Sequence, residues 1–410
     1  MHKKVFEYID SRKGELIEFT KELVSIPTVN PPGENYSKIL KILEQRCKRL
    51  RLVTKRIVVP KSVLKRYKID SREKRICLLA KWNVGSNRTV HINGHYDVVP
   101  AGGDWHTDPF RPVVKNGRIY GRGTEDMKGN IACYLMAVSA LRRYNLEPGC
   151  NLEFSFTPDE EIGGETGFGY LVKNKIINSD YGIGEGYAGR FLSYGNKGVL
   201  WFKIEVKGKS AHASKPYKGI NSFEKLVAVT QELMNLNKKI SKRRTVYMTR
   251  DKRDRFSTMV LGGRLWGGGE TNIVPDVSGF TIDRRFLPEE NITTVKRELY
   301  ECVNKARKRM KDLKVKIKTI VEQDCAVCNF RNKLSNSFSK AINQALVKKA
   351  KFAIMAGATD MRFLMEKGIP CIGYSAEGGG RCHADNEYIW VKSLLDTAKI
   401  FAYVFANLKG

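Results

Sequence analysis

The chain has 410 residues, and its 73 basic and 43 acidic side chains give it a formal net charge of +30 at pH 7. That length exceeds what one hydrophobic core usually serves, so two domains are expected. Hydrophobic residues make up 42% of the chain and charged residues 28%, which excludes a disordered or collagen-like protein.

Membrane insertion and secretion are not indicated by the sequence. The longest nearly unbroken apolar stretch, Ile131 to Leu141, is far shorter than the roughly 20 residues that a bilayer requires. The first residues lack the apolar core of a signal peptide. Nine cysteines without regular spacing suggest reduced thiols rather than a disulfide framework. We therefore expect a cytoplasmic protein.

The basic residues are concentrated in three runs, Arg46–Arg56, Lys238–Arg255 and Lys305–Lys318. Clustered Lys and Arg side chains neutralise phosphates, so a nucleic-acid partner is one interpretation. In the third run, however, the lysines alternate with apolar residues, as on the solvent face of a strand. No helix-turn-helix, zinc-finger or RNA-binding signature accompanies the charge. A solvated basic surface is the preferred interpretation, and nucleic acid is not expected as a partner.

The predicted elements of the first part of the chain alternate between strands and helices. Helices are predicted, from apolar residues at helical spacing, over Val5–Val24 and Met127–Tyr144. Strands are predicted at Ile76–Ala80, Thr89–Ile92 and Leu152–Phe156, and Tyr181–Gly184 is predicted to be the end of another strand. This alternation predicts an α/β fold with a mainly parallel sheet flanked by helices.

The middle of the chain has a different order, β-α-β-β-α-β. Its predicted elements are Leu200–Val206, Asn221–Leu236, Phe256–Leu261, Val277–Ile282, Val295–Met310 and Leu313–Ile320. That order is the split βαβ, ferredoxin-like unit. The α/β pattern then resumes with Leu334–Lys349, Ile369–Tyr374 and Val391–Leu408. We therefore expect an α+β domain of residues 196–321 inserted into a larger domain formed by residues 1–195 and 322–410.

Side chains able to bind metals recur where predicted strands end. They are His95 and Asp97, Asp126, Glu160 and Glu161, Glu185, and His383 after the glycine run 378–380. In an open α/β sheet the carboxyl ends of the strands converge on one crevice, where ligands bind. Two histidines and several carboxylates without a cysteine cluster suit a hydrolytic zinc centre.

Four segments resemble the dinuclear-zinc aminoacylase/carboxypeptidase family of metallopeptidases, which includes acetylornithine deacetylase and succinyl-diaminopimelate desuccinylase. They are Gly94-His-Tyr-Asp-Val-Val-Pro, Gly121-Arg-Gly-Thr-Glu-Asp-Met-Lys-Gly, Asp159-Glu-Glu-Ile-Gly-Gly and His383-Ala-Asp-Asn-Glu. The resemblance covers essentially the whole chain. It implies a zinc-aminopeptidase-like catalytic domain and gives the inserted domain the role of a dimerisation domain.

The resemblance also implies a set of ligands for two Zn²⁺ ions per subunit, with Co²⁺ or Mn²⁺ as possible substitutes. One ion would be held by His95, Asp126 and Glu185, and the other by Asp126, Glu161 and His383. Asp97 would accept the second ring N–H of His95 and so fix its tautomer. Glu160 would be the general base. A cis peptide is implied between Asp126 and Met127.

Further residues resemble the family's substrate contacts. His212, in Gly208-Lys-Ser-Ala-His-Ala-Ser, would reach into the active site of the partner subunit. Asn272 and Arg285 resemble contacts to the substrate carboxylate, which the planar fork of an arginine matches. A surface ion pair with Asp283 or Glu289 is the alternative for Arg285. Gly357 and Thr359 resemble the loop that closes the substrate pocket.

The expected protein is thus a homodimeric zinc amidohydrolase that cleaves N-acyl-L-amino acids, a deacylase of amino-acid biosynthesis. The resemblance implies that a metal-bridging hydroxide attacks the carbonyl and that His212 helps to hold the developing oxyanion. A metallo-carboxypeptidase or dipeptidase with the same centre is the first alternative, with a short peptide as substrate. An inactive nucleic-acid-binding or scaffold protein is the second.

Overall fold

The structure is a computed structural model that describes residues 2–69, 73–380 and 382–409. The helices in these ranges are α1 His2–Ser11, α2 Lys13–Val24, α3 Tyr36–Arg49, α4 Lys61–Tyr67, α5 Gly129–Arg143, α6 Phe168–Lys173, α7 Ser222–Ile240, α8 Ile292–Arg309, α9 Lys333–Leu346, α10 Arg362–Met365 and α11 Val391–Asn407. The strands are β1 Val53–Val58, β2 Ile76–Trp82, β3 Thr89–His95, β4 Val113–Lys115, β5 Arg118–Tyr120, β6 Asn151–Thr157, β7 Tyr181–Tyr187, β8 Phe191–Asn196, β9 Gly198–Lys207, β10 Thr258–Gly267, β11 Val277–Phe286, β12 Lys314–Gln323, β13 Ala326–Val327, β14 Lys351–Met355, β15 Cys371–Tyr374 and β16 Tyr388–Trp390.

The chain divides into two compact units. The first comprises residues 1–194, 328–353 and 359–410, and the second comprises residues 195–327 and 354–358. The sequence predicted an inserted domain of residues 196–321. Its part in dimerisation stays a prediction.

The first unit is built on one large sheet. Its strands lie in the order β1-β2-β6-β3-β7-β15-β8, with β14 paired to β8. The central strands β6, β3, β7 and β15 are parallel, whereas β2 and β1 continue the sheet in antiparallel pairing. This is the mainly parallel, helix-flanked sheet that the sequence predicted. Because the four central strands are parallel, their carboxyl ends meet at the same edge of the sheet.

Helix α5 forms the centre of the helical layer. Nearly all of its residues are buried, as expected for a helix that is apolar on most of its surface. It contacts α11, which also contacts α9. Tyr134 of α5 lies against Phe401 of α11, with 4.7 Å between the ring centroids. The start of α5, which follows the Asp126 segment, is therefore fixed by packing.

The predicted helix Val5–Val24 is wrong in one respect, since the chain forms two helices there. Arg12 has φ −97° and ψ 18°, outside the helical region. The hydroxyl of Ser11 donates to the carbonyl of Tyr8 at 2.7 Å, which satisfies an acceptor at the end of α1. Apolar spacing did not reveal the break, because buried residues continue at similar intervals on both sides of it.

The second unit is a four-stranded antiparallel sheet covered by α7 and α8. The strand order is β10-β11-β9-β12, and the chain order is β-α-β-β-α-β, as the sequence predicted. One core joins the inner faces of these strands to both helices. Helix α7 begins where the Asn221 side chain accepts the backbone N–H groups of Phe223 and Glu224. Within the described ranges, no helix of either unit is long and apolar enough to cross a membrane.

Candidate metal centre

The predicted ligands lie where the central strands of the first unit end. His95 is the last residue of β3, and the Glu160–Ile162 turn follows β6 after two residues. Glu185 lies near the end of β7, and the segment after β15 leads to His383. Because these strands are adjacent and parallel, the fold gathers at one edge side chains that lie far apart in the sequence.

Two groups of side chains share Asp126. They are His95, Asp126 and Glu185, and Asp126, Glu161 and His383, and the ligand atoms within each group lie within 4.8 Å of one another. His95 Nε2 is 2.9 Å from Asp126 Oδ1, whereas His383 Nε2 is 3.3 Å from Asp126 Oδ2. The two oxygens of Asp126 thus face different histidines, as a carboxylate that bridges two ions requires.

The remaining carboxylates complete the two groups. His95 Nε2 is 3.4 Å from Glu185 Oε2, and His383 Nε2 is 2.9 Å from Glu161 Oε2. The same ring nitrogen of each histidine therefore faces two carboxylates. That convergence of several acceptors on one point is the geometry expected around a bound cation.

The segment that carries Asp126 is held by Glu387. Its two carboxylate oxygens accept the backbone N–H groups of Gly123, Glu125 and Asp126 at 2.9–3.3 Å. Arg122 donates to the same carboxylate at 2.7 Å, and both side chains of this pair are buried. The Asp126–Met127 peptide bond is cis, as the resemblance implied.

Asp97 holds the turn that carries the paired glutamates. Its carboxylate accepts the backbone N–H groups of Glu160 and Glu161, each at 3.3 Å. Its relation to His95 differs slightly from the expected one. The second ring nitrogen of His95, Nδ1, is 3.0 Å from the Asp97 carbonyl oxygen and 3.6 Å from the carboxylate. A carbonyl acceptor fixes the His95 tautomer equally well.

The histidines and Asp126 stabilise one another as ion pairs. Hydrogen bonds with Asp126 and Glu161 raise the pKa of His383 to about 11. Burial favours the neutral form of His95, but hydrogen bonds with Asp126, Asp97 and Glu185 outweigh it and raise the pKa well above its usual value. The pKa of Asp126 is correspondingly held far below its ordinary range, against the effect of burial, by His383 and His95.

The pKa values of the three glutamates are raised, whereas that of Asp126 is lowered. Burial, followed by the charge of Asp126, raises the pKa of Glu161 to about 7. Burial likewise raises the pKa of Glu185 to about 7. Burial and the neighbouring Glu185 raise the pKa of Glu160 well above its usual value. These carboxylates repel one another, and bound cations would offset that repulsion. Imidazole nitrogen and carboxylate oxygen are donors that zinc, cobalt and manganese accept, so the residues present fit a two-metal site.

His212 and Asn272 are neighbours in the second unit. The Ala213 N–H donates to the Asn272 carbonyl at 2.8 Å, and His212 pairs with Ile273 in an isolated bridge. The exposed His212 ring accepts the Ser214 N–H at Nδ1, at 3.1 Å. A neutral His212 therefore carries its proton on Nε2, which faces away from Ser214.

The other predicted substrate residues are spread over the two units. Arg285 donates to both carboxylate oxygens of Asp283, at 2.7 and 2.9 Å, which is the ion pair that the sequence left open as an alternative. Gly357 belongs to the second unit, and a Cβ there would meet no atom within 4 Å. Thr359 belongs to the first unit and is buried. Their contacts to substrate stay predictions.

Sequence reasoning missed several residues that hold the centre. Glu387 lies inside the quoted His383 segment but was given no role. Asn30, Arg75 and Asp159 are buried polar residues: Asn30 and Arg75 both contact Asp159, and Asn30 also contacts Asp97. Asn30 and Arg75 precede the first recognised motif, where no spacing pattern marked them.

The chain is similar in sequence to known hydrolases. The sequence model of Peptidase family M20/M25/M40 matches residues 91–407. An uncharacterized metallohydrolase of Methanocaldococcus jannaschii is 29% identical over 414 residues, 94% of this chain and 98% of the relative. A succinyl-diaminopimelate desuccinylase of Helicobacter pylori is 27% identical over 415 residues, 96% of this chain and 99% of the relative.

Among solved structures, a di-peptidase of Saccharomyces cerevisiae has a similar fold. The TM-score is 0.81 at 17% identity, over 100% of this chain and 98% of that one. The family match covers most of the chain, and it includes every residue of the two metal-binding groups. The chain therefore belongs to Peptidase family M20/M25/M40 and is a metal-dependent hydrolase of amide or peptide bonds.

Proposed function

We propose that the protein is a dinuclear zinc amidohydrolase that cleaves the amide bond of an N-acyl-L-amino acid, as a deacetylase or desuccinylase does. The observation that supports it most is the position of Asp126, whose two oxygens face two different histidines. The desuccinylase relative, similar over nearly its whole length, favours an acyl amino acid as the substrate. A cytoplasmic location and a role in amino-acid biosynthesis belong to the same proposal.

The chain supplies the ligands and a proton carrier. Bound divalent ions would polarise the scissile carbonyl and acidify a water molecule. Glu160 accepts a proton at its carboxylate and returns it to the leaving amine, a task that suits a carboxylate whose pKa is raised above its usual value. Asp97 supports this role because it accepts the backbone N–H groups of Glu160 and Glu161 and so fixes the backbone that carries both side chains.

The second unit would supply the oxyanion donor and the substrate contacts. His212 carries its free N–H at Nε2 when neutral, since Nδ1 accepts from Ser214. In the proposal this N–H donates to the developing oxyanion of a neighbouring subunit. Asn272, next to His212, and Arg285 would contact the substrate carboxylate, in which case Arg285 exchanges its bond to Asp283 for the substrate.

A dimer through the second unit is supported by an apolar stripe on α7. Phe223, Val227 and Met234 lie on one face of this helix and are 59%, 51% and 46% exposed. Strand β10 lies at an edge of the sheet and carries exposed apolar side chains at Val260 and Leu265. An edge strand and a helix face that both expose apolar side chains suit a two-fold contact with a second copy.

A substrate panel tests the proposal. The purified protein, loaded with Zn²⁺ or Co²⁺, is offered acetyl-, succinyl- and formyl-L-amino acids and a set of dipeptides, with Glu160→Ala as the control for background hydrolysis. We expect kcat/KM for at least one acyl amino acid to exceed that for any dipeptide by about 10-fold or more. Preference for dipeptides would instead establish the metallo-dipeptidase or carboxypeptidase alternative, which the similarity to the yeast di-peptidase favours.

A further inference from the structure

The turn that carries Glu160 and Glu161 begins at a buried carboxylate, Asp159. This residue has φ 67° and ψ 17°, a left-handed conformation that aspartate adopts more readily than most residues. Its side chain is fully buried. Because the paired glutamates follow immediately, the backbone of Asp159 sets the direction in which both side chains leave the turn.

Arg75 is the charge partner of Asp159. Its Nε lies 3.1 Å from each carboxylate oxygen, and both side chains are buried. The other guanidinium nitrogens donate to the carbonyls of Glu73 at 3.1 Å and Pro32 at 2.7 Å. Gly33 leaves the space for this arrangement, since a Cβ there would lie 2.6 Å from Arg75 Nη2. The guanidinium is therefore fixed on several sides and directed at Asp159.

Asn30 joins Asp159 to Asp97. Its amide nitrogen lies 3.0 Å from Asp159 Oδ1 and 2.9 Å from Asp97 Oδ2. Asp97 in turn accepts the N–H groups of both glutamates. The turn is thus held from two sides, by its own first residue and by its backbone N–H groups, and Asn30 couples the two supports.

We propose that Arg75, Asn30 and Asp159 are positioning residues that set the distance from the Glu161 carboxylate to His383. Neither Arg75 nor Asn30 belongs to either metal-binding group. The inference rests on the proposed two-metal centre, in which Glu161 holds one ion only. Loss of the Arg75 charge leaves the buried Asp159 carboxylate without its cation, so the turn must shift to bring that carboxylate toward water. Such a shift displaces Glu161 and leaves the ligands His95 and Glu185 in place.

The test is a Co²⁺ titration of the metal-stripped, full-length protein, followed by visible absorption and by competition with a chelator. The wild type should bind two ions. For Arg75→Met, one binding constant should stay within about 2-fold of wild type, and the other should fall by about 10–100-fold, the usual effect of an outer-shell partner. The absorption spectrum should change toward that of Glu161→Ala. Arg75→Lys, which keeps the charge but loses the planar fork, should lie between the two.

Two more variants separate positioning from general damage. Asn30→Ala removes a neutral donor, leaves the Arg75–Asp159 ion pair in place and should weaken the same ion. Arg284→Met breaks another ion pair of a buried arginine, Arg284–Glu290 at 2.6 Å in the second unit, and should bind both ions as the wild type does. A wild type that fails to bind two ions would overturn the metal centre and this inference with it. Wild-type binding by Arg75→Met, or equal weakening of both ions, would overturn the inference alone.

Discussion

Asp126 is the residue on which both halves of the proposed centre depend, because each of its oxygens faces a different histidine. Asp126→Ala should therefore remove most of both ions, whereas loss of Glu185 or Glu161 should remove mainly one. Metal analysis after dialysis, with wild type as the reference, measures this. Two tightly bound ions in Asp126→Ala would refute the bridging assignment.

The adjacent glutamates should differ in what they lose. Glu160→Ala should keep both ions and lower kcat by at least about 10²-fold, the usual scale for a general base. Glu161→Ala should lose metal, because its carboxylate lies 2.9 Å from His383 and belongs to one ligand group. Kinetics and metal content are measured on both variants. If the two variants behave the other way round, the roles must be exchanged.

A third residue-scale prediction concerns the buried His91. Burial lowers its pKa below 6.5, although Glu153, 3.6 Å from Nδ1, acts in the opposite direction. The unfolded chain therefore binds an extra proton below pH 6.5, so the free energy of unfolding falls as pH drops from about 6.5, by at most about 1.4 kcal/mol per pH unit. The free energy of unfolding of His91→Gln should lack this part of the pH dependence.

The measurement for His91 is the unfolding midpoint of wild type and His91→Gln between pH 8 and 5. The difference between the two proteins cancels the titrating groups that do not contact His91. The difference in unfolding midpoint should be constant above about pH 7. At lower pH the midpoint of the wild type should fall relative to that of His91→Gln. A difference that stays constant over the whole range would show that His91 titrates alike in both states.

Four of the five proposed ligands could be predicted because they lie in local motifs, as in the Gly94 and Asp159 segments, and Glu185 because it follows a predicted strand. Their supports could not. Arg75 and Asn30 act through tertiary contacts with Asp159, and nothing in their own neighbourhoods marks them. Lys and Arg are usually exposed, so composition alone predicts a surface position for Arg75.

At the scale of elements, there is no free space for a larger side chain at the start of helix α5. A Cβ at Gly129 would lie 2.5 Å from the Thr124 carbonyl oxygen and 2.8 Å from Ile389 Cδ1. Gly129→Ala should therefore push the backbone of the Asp126 segment and destabilise the protein by about 1–3 kcal/mol. Gly14→Ala in α2 is the matched control, since a Cβ there meets nothing within 4 Å.

The control should gain about 0.5–1 kcal/mol, because alanine replaces glycine in a helix without a clash. Thermal unfolding and Co²⁺ affinity of both variants check the pair. We expect weaker metal binding only for Gly129→Ala. Equal effects of the two substitutions would show that the segment beside Gly129 can move freely.

Strong periodicity made most elements predictable, as for β9, in which buried residues alternate with less buried ones from Leu200 onward. The ends of the elements were harder to predict from the sequence. The break at Arg12 is local and leaves the apolar pattern intact on both sides. Helix α3 was not predicted, although Ile39, Leu40 and Leu43 bury one face of it.

At the scale of the whole molecule, the net charge of +30 is carried partly as predicted. Lys314, Lys316 and Lys318 of β12 are exposed, and the residues between them are partly buried. The end of the third basic run therefore lies on the solvent-exposed face of an edge strand. The apolar stripe on α7 has no such explanation within one chain, and it motivates the last prediction.

If the partner subunit supplies His212, two inactive variants should complement each other. His212→Ala and Glu160→Ala are each expected to be nearly inactive, with a loss of about 10²–10³-fold for an oxyanion donor. In a mixed dimer, one site combines an intact Glu160 with an intact His212 from the other chain, while the second site lacks both. Random re-association makes half of the dimers mixed, so activity should return to about a quarter of the wild-type value.

The exchange experiment needs a control that blocks the contact itself. Val227→Lys places a charge in the exposed stripe of α7, whereas Asn235→Lys adds the same charge on an exposed part of the helix outside that stripe. When Val227→Lys is introduced into both inactive variants, mixing them should restore no activity, and light scattering should detect monomers. The reason is that a lysine cannot be buried in the contact without a partner for its charge. Asn235→Lys should leave the recovered activity unchanged. Recovery that persists with Val227→Lys would place the dimer contact elsewhere, and no recovery in any mixture would mean that His212 acts within its own chain or has no catalytic role.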